Sequence, residues 1–355
     1  MATSAAASEA TTPVLRFSVS SFRGQFSAYA LLGDVFYPVK VNDHVAVLEA
    51  VRDVGGSFEV NGLDHVKLLL RLGVPPGRIL FGLPVAPARA LEAACQLGVA
   101  FFVVDSVESY HLIVDRLPSA QFLVRLTLSD VLRPLPRDYD KWGMPTDAAL
   151  DLARRMAGDG CAFAGPSFYL PKPLYSHEAL EAMLRHIATT FRDIPLASVN
   201  VGGGLEDPND PRLASLLRRF QQDSGTRRLI VEPGRCLLNP AIDMIVTVIG
   251  IRRRRAMRWA YLDAGIYSGL LDAALLKRRF AISALRPGEP PPPAVGHDYW
   301  LSGPTSDTLD VLGRYEFPAE LREGDQLIVR ECGAYTYVLQ TGFGGASPLT
   351  LEVIP

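Results

Sequence analysis

The chain reads as an α/β protein: a (β/α)8 barrel of the TIM type followed by a mostly antiparallel β-sandwich or β-barrel domain. Three observations predict this. Between residues 35 and 232, eight short apolar runs alternate with seven longer amphipathic stretches. Each run is apolar almost throughout instead of at every second position, the pattern of strands buried on both faces in a parallel sheet. After residue 240 the helical periodicity stops, and β-branched or aromatic runs separated by turns take over. A doubly wound open sheet is the alternative for the first part, but eight units in this length favour the closed barrel.

Taken in order, residues 1–12 are rich in Ala, Ser and Thr and lack an apolar core, which predicts a disordered tail and not a signal peptide. A strand at 13–17 precedes a first helix around 20–31 and is a candidate to join the second domain. Barrel strands are expected at 35–41, 57–60, 79–82, 100–105, 121–126, 161–164, 198–201 and 228–232. Helices fall between them at 44–54, 63–72, 87–97, 107–116, 147–157, 177–190 and 211–222. The barrel domain is therefore placed at 13–240 and the β domain at 241–355, with strands at 246–249, 259–262, 326–329 and 335–340. The prolines at 290–293 read as a surface linker. The arginines at 252–255 read as a solvated hairpin.

Composition removes several functions. With 355 residues, 48% hydrophobic and 21% charged, the chain has the balance of a globular enzyme with a large core. A net charge of -2 gives no electrostatic case for nucleic acid or an anionic membrane. Cys95, Cys161, Cys236 and Cys332 are scattered without metal-type spacing, so no metal site is expected and they read as reduced thiols in a cytoplasmic protein. No apolar run is long enough to span a bilayer.

In a (β/α)8 barrel the active site lies at the carboxyl ends of the strands. That rule selects Lys40, Glu59, Arg125, Ser167, Gly202, Gly203, Gly204, Glu232 and Arg235. A lone lysine closing a strand is ordinarily a solvated charge; its company changes the reading of Lys40. Glycines after a strand let backbone N–H groups approach a phosphate. If a pyridine-ring aldehyde cofactor lies across the mouth, Glu232 could keep its ring nitrogen protonated and Lys40 would bind it as a Schiff base.

The motifs FYPVKVN from Phe36, FEVNG from Phe58, GGG from Gly202, EPGR from Glu232, GPTSDTLD from Gly303 and CGAYT from Cys332 follow one another in order. Together they resemble the fold type III pyridoxal-phosphate-dependent decarboxylases, the ornithine/diaminopimelate decarboxylase group, related to alanine racemase. The resemblance extends from Thr12 over nearly the whole chain. It implies pyridoxal 5'-phosphate on Lys40, its phosphate on Ser167, Gly204, Gly234 and Arg235 with Gly203 beside them, its ring nitrogen on Glu232, and Tyr335 closing over the phosphate. Glu59 and Arg125 would complete the cofactor site. The resemblance also implies a homodimer with shared active sites, in which Ser306 and Asp307 finish the partner's site.

Three departures from the family pattern bear on function. Ser306 stands where the family has a cysteine that reprotonates the substrate carbon, and a hydroxyl is a far weaker acid than a thiol. Ala164 stands where a histidine covers the cofactor ring. Near Leu276, Lys277 and Arg278 the family's diamine-forming members carry an aspartate for the distal ammonium, with Asp272 a possible substitute and Tyr267 and Lys277 candidate substrate contacts. Glu59 replaces the usual aspartate, and Pro38 removes a ladder donor from its strand. The expectation is a pyridoxal-phosphate-dependent decarboxylase of an amino acid or amino-acid conjugate other than ornithine or lysine, in a specialised biosynthetic pathway. A catalytically silent regulatory relative, a racemase and a decarboxylation-coupled oxidase are the alternatives, and Glu232 disfavours the racemase, which places an arginine there.

Overall fold

The structure is a computed structural model that describes residues 11–136, 139, 141–285 and 296–355. Residues 1–10 of the expected tail and the proline run at 290–293 lie outside the described residues. Two compact units result: Arg23–Leu237, and a second made of the chain up to Phe22 together with Leu238–Pro355. The strand β1 (Val14–Ser18) belongs to the second unit, and the helix α1 (Val19–Ala30) runs from it into the first.

In the first unit, β2 (Asp34–Pro38), β3 (Ser57–Val60), β4 (Ile79–Phe81), β5 (Phe101–Val104), β6 (Gln121–Arg125), β7 (Ala162–Ser167), β8 (Val199–Asn200) and β9 (Leu229–Val231) form a closed parallel barrel. Closure comes from β2 pairing with β9, Asp34 opposite Ile230 and Val35 opposite Val231. The crossover helices are α2 (Val45–Asp53), α3 (Leu63–Arg71), α4 (Ala88–Gln96), α5 (Val107–Val114), α6 (Thr146–Gly158), α7 (His177–Thr190) and α8 (Pro211–Ser224). Several start on caps written in the sequence. Ser106 and Ser109 form a capping box on α5, Ser176 caps α7, and Asp210 caps α8 ahead of Pro211.

Inward-facing residues are sorted in layers. Phe36, Leu80, Phe101, Val103, Leu123, Ala164 and Ile230 form one buried apolar cluster contributed by β2, β4, β5, β6, β7 and β9. Because side chains on a strand alternate, the residues two positions on face the same way. On β6 that is Arg125, and just beyond β9 it is Glu232. A hydrophobic floor therefore carries a charged layer at the carboxyl-terminal mouth.

The first barrel strand is shorter than the sequence suggests. It ends at Pro38, and Val39–Val41 form a 3-10 turn, so Lys40 lies on a tight turn after the strand and not within it. Pro38 stands where the ladder stops, with φ of -75°, which is where a residue lacking N–H is tolerated.

In the second unit β1 joins β10 (Ile242–Arg254), β11 (Met257–Leu262), β12 (Ile282–Ala284), β13 (His297–Ser302), β14 (Val311–Phe317), β15 (Gln326–Val329) and β16 (Thr350–Ile354) in one mostly antiparallel sheet. The exceptions are the parallel pairs β1 with β16 and β11 with β13. The strand expected at 335–340 is corrected: this segment is a series of turns, and Tyr335 has φ of 62°. A left-handed residue interrupts extended backbone whatever its β propensity.

Candidate active site

Lys40, Glu59, Arg125, Ser167, Gly203, Gly204, Glu232, Gly234 and Arg235 all lie in the barrel unit, at or just past the carboxyl ends of its strands. The Lys40 Nζ is 2.9 Å from Glu59 Oε2, with the lysine side chain 45% exposed and the glutamate 3%. Asn61 Nδ2 donates to the other Glu59 oxygen at 2.5 Å. Room for this carboxylate comes from Gly82 on the neighbouring strand end, where any Cβ would collide with the Glu59 side chain. Glu59 is thus fixed from two sides and holds the lysine amine in turn.

Glu232 and Arg125 keep some accessible area at the open mouth, yet protein crowds both. Loss of solvent pushes the Glu232 carboxyl up to about 7; nearby Glu59 adds to the rise, while Lys40, Asn200 and Arg125 oppose it. The Arg125 guanidinium is lowered by the same desolvation, against the pull of Glu232, Glu59, Asp105 and Tyr169. Two carboxylates, one amine and one guanidinium therefore share a small volume, the setting in which charge states are tuned for chemistry.

Beside Glu232 lies the glycine segment, whose Gly202 carbonyl accepts from Glu232 N–H at 2.8 Å. Gly202 and Gly204 have φ of 69° and 85°. A Cβ at Gly202 would sit 2.6 Å from the Phe168 carbonyl oxygen, one at Gly203 2.6 Å from that of Glu232, and one at Gly204 2.5 Å from that of Leu170. The three glycines are thus already required for the segment to pass between residues 168–170 and the end of β9. Among the described residues, the N–H groups of Gly203, Gly204 and Gly234 donate no hydrogen bond. The Ser167 hydroxyl is buried with no partner. A buried hydroxyl without a partner is costly. Such a hydroxyl, at the carboxyl end of a barrel strand, fits a phosphate acceptor, and Arg235 follows Gly234 in the chain.

Ala164 sits as an extra residue in a register shift between β6 and β7, 4% exposed within the apolar floor, and offers only a methyl group. Tyr169, which the sequence reading passed over, runs along the glycine segment, its Cε2 3.9 Å and 3.8 Å from Cβ positions built on Gly203 and Gly204. Asn61 and Asn200 were passed over as well. Asn200 closes β8, so the strand-end rule applied two residues before Gly202 selects it.

Tyr267, Lys277, Ser306, Asp307 and Tyr335 lie in the second unit. Tyr267 and Asp307 are brought together: burial, and a hydrogen bond to Asp307, raise the Tyr267 phenol above its ordinary range. The Tyr267 ring also packs against Phe343 in a tilted pair with centroids 4.4 Å apart. The loop between β13 and β14 is folded around Asp310, which is fully buried. Its carboxylate accepts from Ile266 N at 2.8 Å, Thr305 N at 3.0 Å and Thr305 Oγ1 at 2.7 Å. That leaves Ser306 exposed at the tip. Lys277 is exposed with φ of 54°, just past a short helix (Asp272–Leu275). Asp272 is not available as a substitute acid: its side chain is 7% exposed, 3.8 Å from Arg278.

A parallel barrel whose mouth presents an amine, a two-sided carboxylate pair and a phosphate-sized set of donors defines a class of enzymes that hold a phosphorylated aldehyde cofactor on a lysine. Comparison with known proteins gives the family. A profile described as the pyridoxal binding domain of pyridoxal-dependent decarboxylases matches residues 19–239. The lysine/ornithine decarboxylase of Selenomonas ruminantium is 28% identical over 324 residues, spanning 88% of this chain and 81% of its own length. Decarboxylase flvG of Aspergillus flavus is 26% identical over 349 residues, spanning 89% and 79%. The arginine decarboxylase of Paramecium bursaria Chlorella virus, solved with agmatine, shares the fold at TM-score 0.86 and 22% identity, over 97% of this chain and 98% of that one. The chain belongs to the pyridoxal-dependent decarboxylases, carboxy-lyases whose cofactor is pyridoxal 5'-phosphate. Among the described residues, no helix is long and apolar enough to cross a membrane.

Proposed function

We propose that the chain decarboxylates an amino acid or amino-acid conjugate whose side chain does not end in the simple ammonium of ornithine or lysine. The observation that carries this is the absence of an acid at Leu276, Lys277 and Arg278, together with the engagement of Asp272 by Arg278. Without a carboxylate there, a distal ammonium would shed its hydration without a compensating partner at that position, and Lys277 would repel it. An acidic or larger conjugated side chain suits the position. A specialised biosynthetic role fits such a substrate. The four free cysteines fit a cytoplasmic setting.

In this reading Lys40 is the covalent anchor and Glu59 orients its amine. Ser167, Gly203, Gly204, Gly234 and Arg235 would hold the phosphate. Glu232 faces the ring nitrogen, and Arg125 balances the charge of the two glutamates. Bound there, pyridoxal phosphate supplies an electron sink for the electron pair released when the substrate carboxylate departs. Ser306 and Asp307, carried on the Asp310-ordered loop, act in the site of the second copy of a homodimer, where Ser306 returns a proton to the substrate carbon and Asp307 with Tyr267 contacts the substrate.

The test is carbon dioxide release from purified protein loaded with pyridoxal phosphate, across ornithine, lysine, arginine, acidic amino acids and their conjugates. The expected result is turnover of an acidic or conjugated substrate at a kcat/KM at least about tenfold above that of ornithine or lysine. Ornithine or lysine as the preferred substrate would overturn the specificity, and no release from any amino acid would overturn the activity. Ser306→Cys is expected to raise kcat several-fold, because a thiol is the stronger acid. An unchanged or lower kcat would remove Ser306 from the proton-returning role.

A further inference from the structure

Among the described residues, Asn200 is the side chain seen to touch both ends of the site. Its Oδ1 accepts from Gly202 N–H at 2.8 Å, and its Nδ2 donates to Glu232 Oε1 at 2.6 Å. The orientation of the amide is fixed by these partners. A backbone N–H can only donate, so it must meet the carbonyl oxygen, and the NH2 is thereby turned toward the carboxylate. Asn200 is 2% exposed, so water does not substitute for either bond. The same strand end is tied a second time, because Glu232 N–H donates to Gly202 O at 2.8 Å.

We propose that Asn200 is a positioning residue that couples the two ends of the cofactor site, making the carboxylate that faces the ring nitrogen and the glycine segment that faces the phosphate move as one piece. This rests on the reading in which Glu232 and the glycine segment meet those two groups. A carboxamide suits the task better than a carboxylate. It neutralises nothing, but it donates to Glu232 and so favours the ionised acceptor over the protonated form. An aspartate at 200 would keep the bond to Gly202 and set a third acid beside Glu232 and Glu59. The charged groups that face Glu232 are Lys40 from the turn after β2, Glu59 from β3 and Arg125 from β6.

The experiment measures pyridoxal phosphate dissociation from full-length Asn200→Ala, Asn200→Asp, Glu232→Gln and the Asn200→Ala/Glu232→Gln double variant, with the pH midpoint of the cofactor's visible absorbance. Asn200→Ala is expected to weaken binding about tenfold or more, since it removes a hydrogen bond to a charged group. Its effect should be largely absent in the Glu232→Gln background. Asn200→Asp, which keeps the side-chain volume and the Gly202 bond, is expected to move the pH midpoint upward. Wild-type dissociation and an unmoved midpoint in both Asn200 variants overturn the coupling, even if their melting temperature falls. Wild-type protein that binds no pyridoxal phosphate, or Glu232→Gln binding it as wild type does, overturns the cofactor reading instead.

Discussion

Lys40→Ala is expected to lower kcat/KM by at least about a thousandfold, because among the described residues no other amine stands where Glu59 holds this one. Three features set the outcome. The turn Val39–Val41 lifts Lys40 clear of the ladder, Glu59 takes its amine at 2.9 Å, and Asn61 keeps Glu59 from turning away. Lys40→Arg separates the charge from the chemistry. Arginine restores an ion pair with Glu59 but stays protonated and cannot add to an aldehyde, so stability should recover while activity does not. The measurement is the visible absorbance of the loaded protein and its fixation by borohydride, followed by mapping of the reduced adduct. Wild-type protein should carry the adduct at Lys40, and both variants should carry none. Fixation at another lysine would remove Lys40 from the role.

The barrel was legible because buried parallel strands write themselves as unbroken apolar runs, and the caps at Ser106, Ser176 and Asp210 mark helix starts in a local code. The second sheet was less so. Strands such as His297–Ser302 and Val311–Phe317 alternate buried with exposed or half-buried positions and carry charges on the open face, which blurs them into loop. Residues 335–340 erred in the other direction, since Tyr335, Thr336, Tyr337 and Val338 have strand-forming side chains on a backbone turned by a left-handed residue. Within the site, residues that act by charge at a strand end could be selected from the sequence. Asn61, Asn200 and Gly82 could not be weighed there, because their importance lies in which carboxylate they touch or make room for. Conversely, the glycine triplet looked like a phosphate signal, but backbone crossings already require all three glycines. The unpartnered Ser167 hydroxyl and the unused N–H groups of Gly203, Gly204 and Gly234 carry the phosphate argument better.

If Glu232 meets the ring nitrogen as proposed, Glu232→Gln is expected to cost about a hundredfold or more in kcat, because a fixed charge aimed at a group that must stay protonated is one of the strongest ways an active site stabilises its transition state. The same substitution should alter stability in the opposite sense when the cofactor is absent. In the cofactor-free protein Glu232 is pushed up to about 7 from an ordinary value of 4.5. Between those two values the native state binds the proton and the unfolded chain does not, so this group's contribution to stability is full below the lower value and falls as pH rises through the upper one. Glutamine resembles the neutral acid in shape and does not titrate. Cofactor-free Glu232→Gln should therefore match wild type near pH 5 and melt higher than wild type near pH 8, with pyridoxal phosphate reversing the order by binding the wild type more tightly. Thermal melts at the two pH values, with and without the cofactor, decide it. A variant that melts below wild type at the higher pH without cofactor would mean that Lys40 and Arg125 already compensate the carboxylate in full. The tension between a carboxylate costly to the empty barrel and indispensable to the filled one would then be absent from this site.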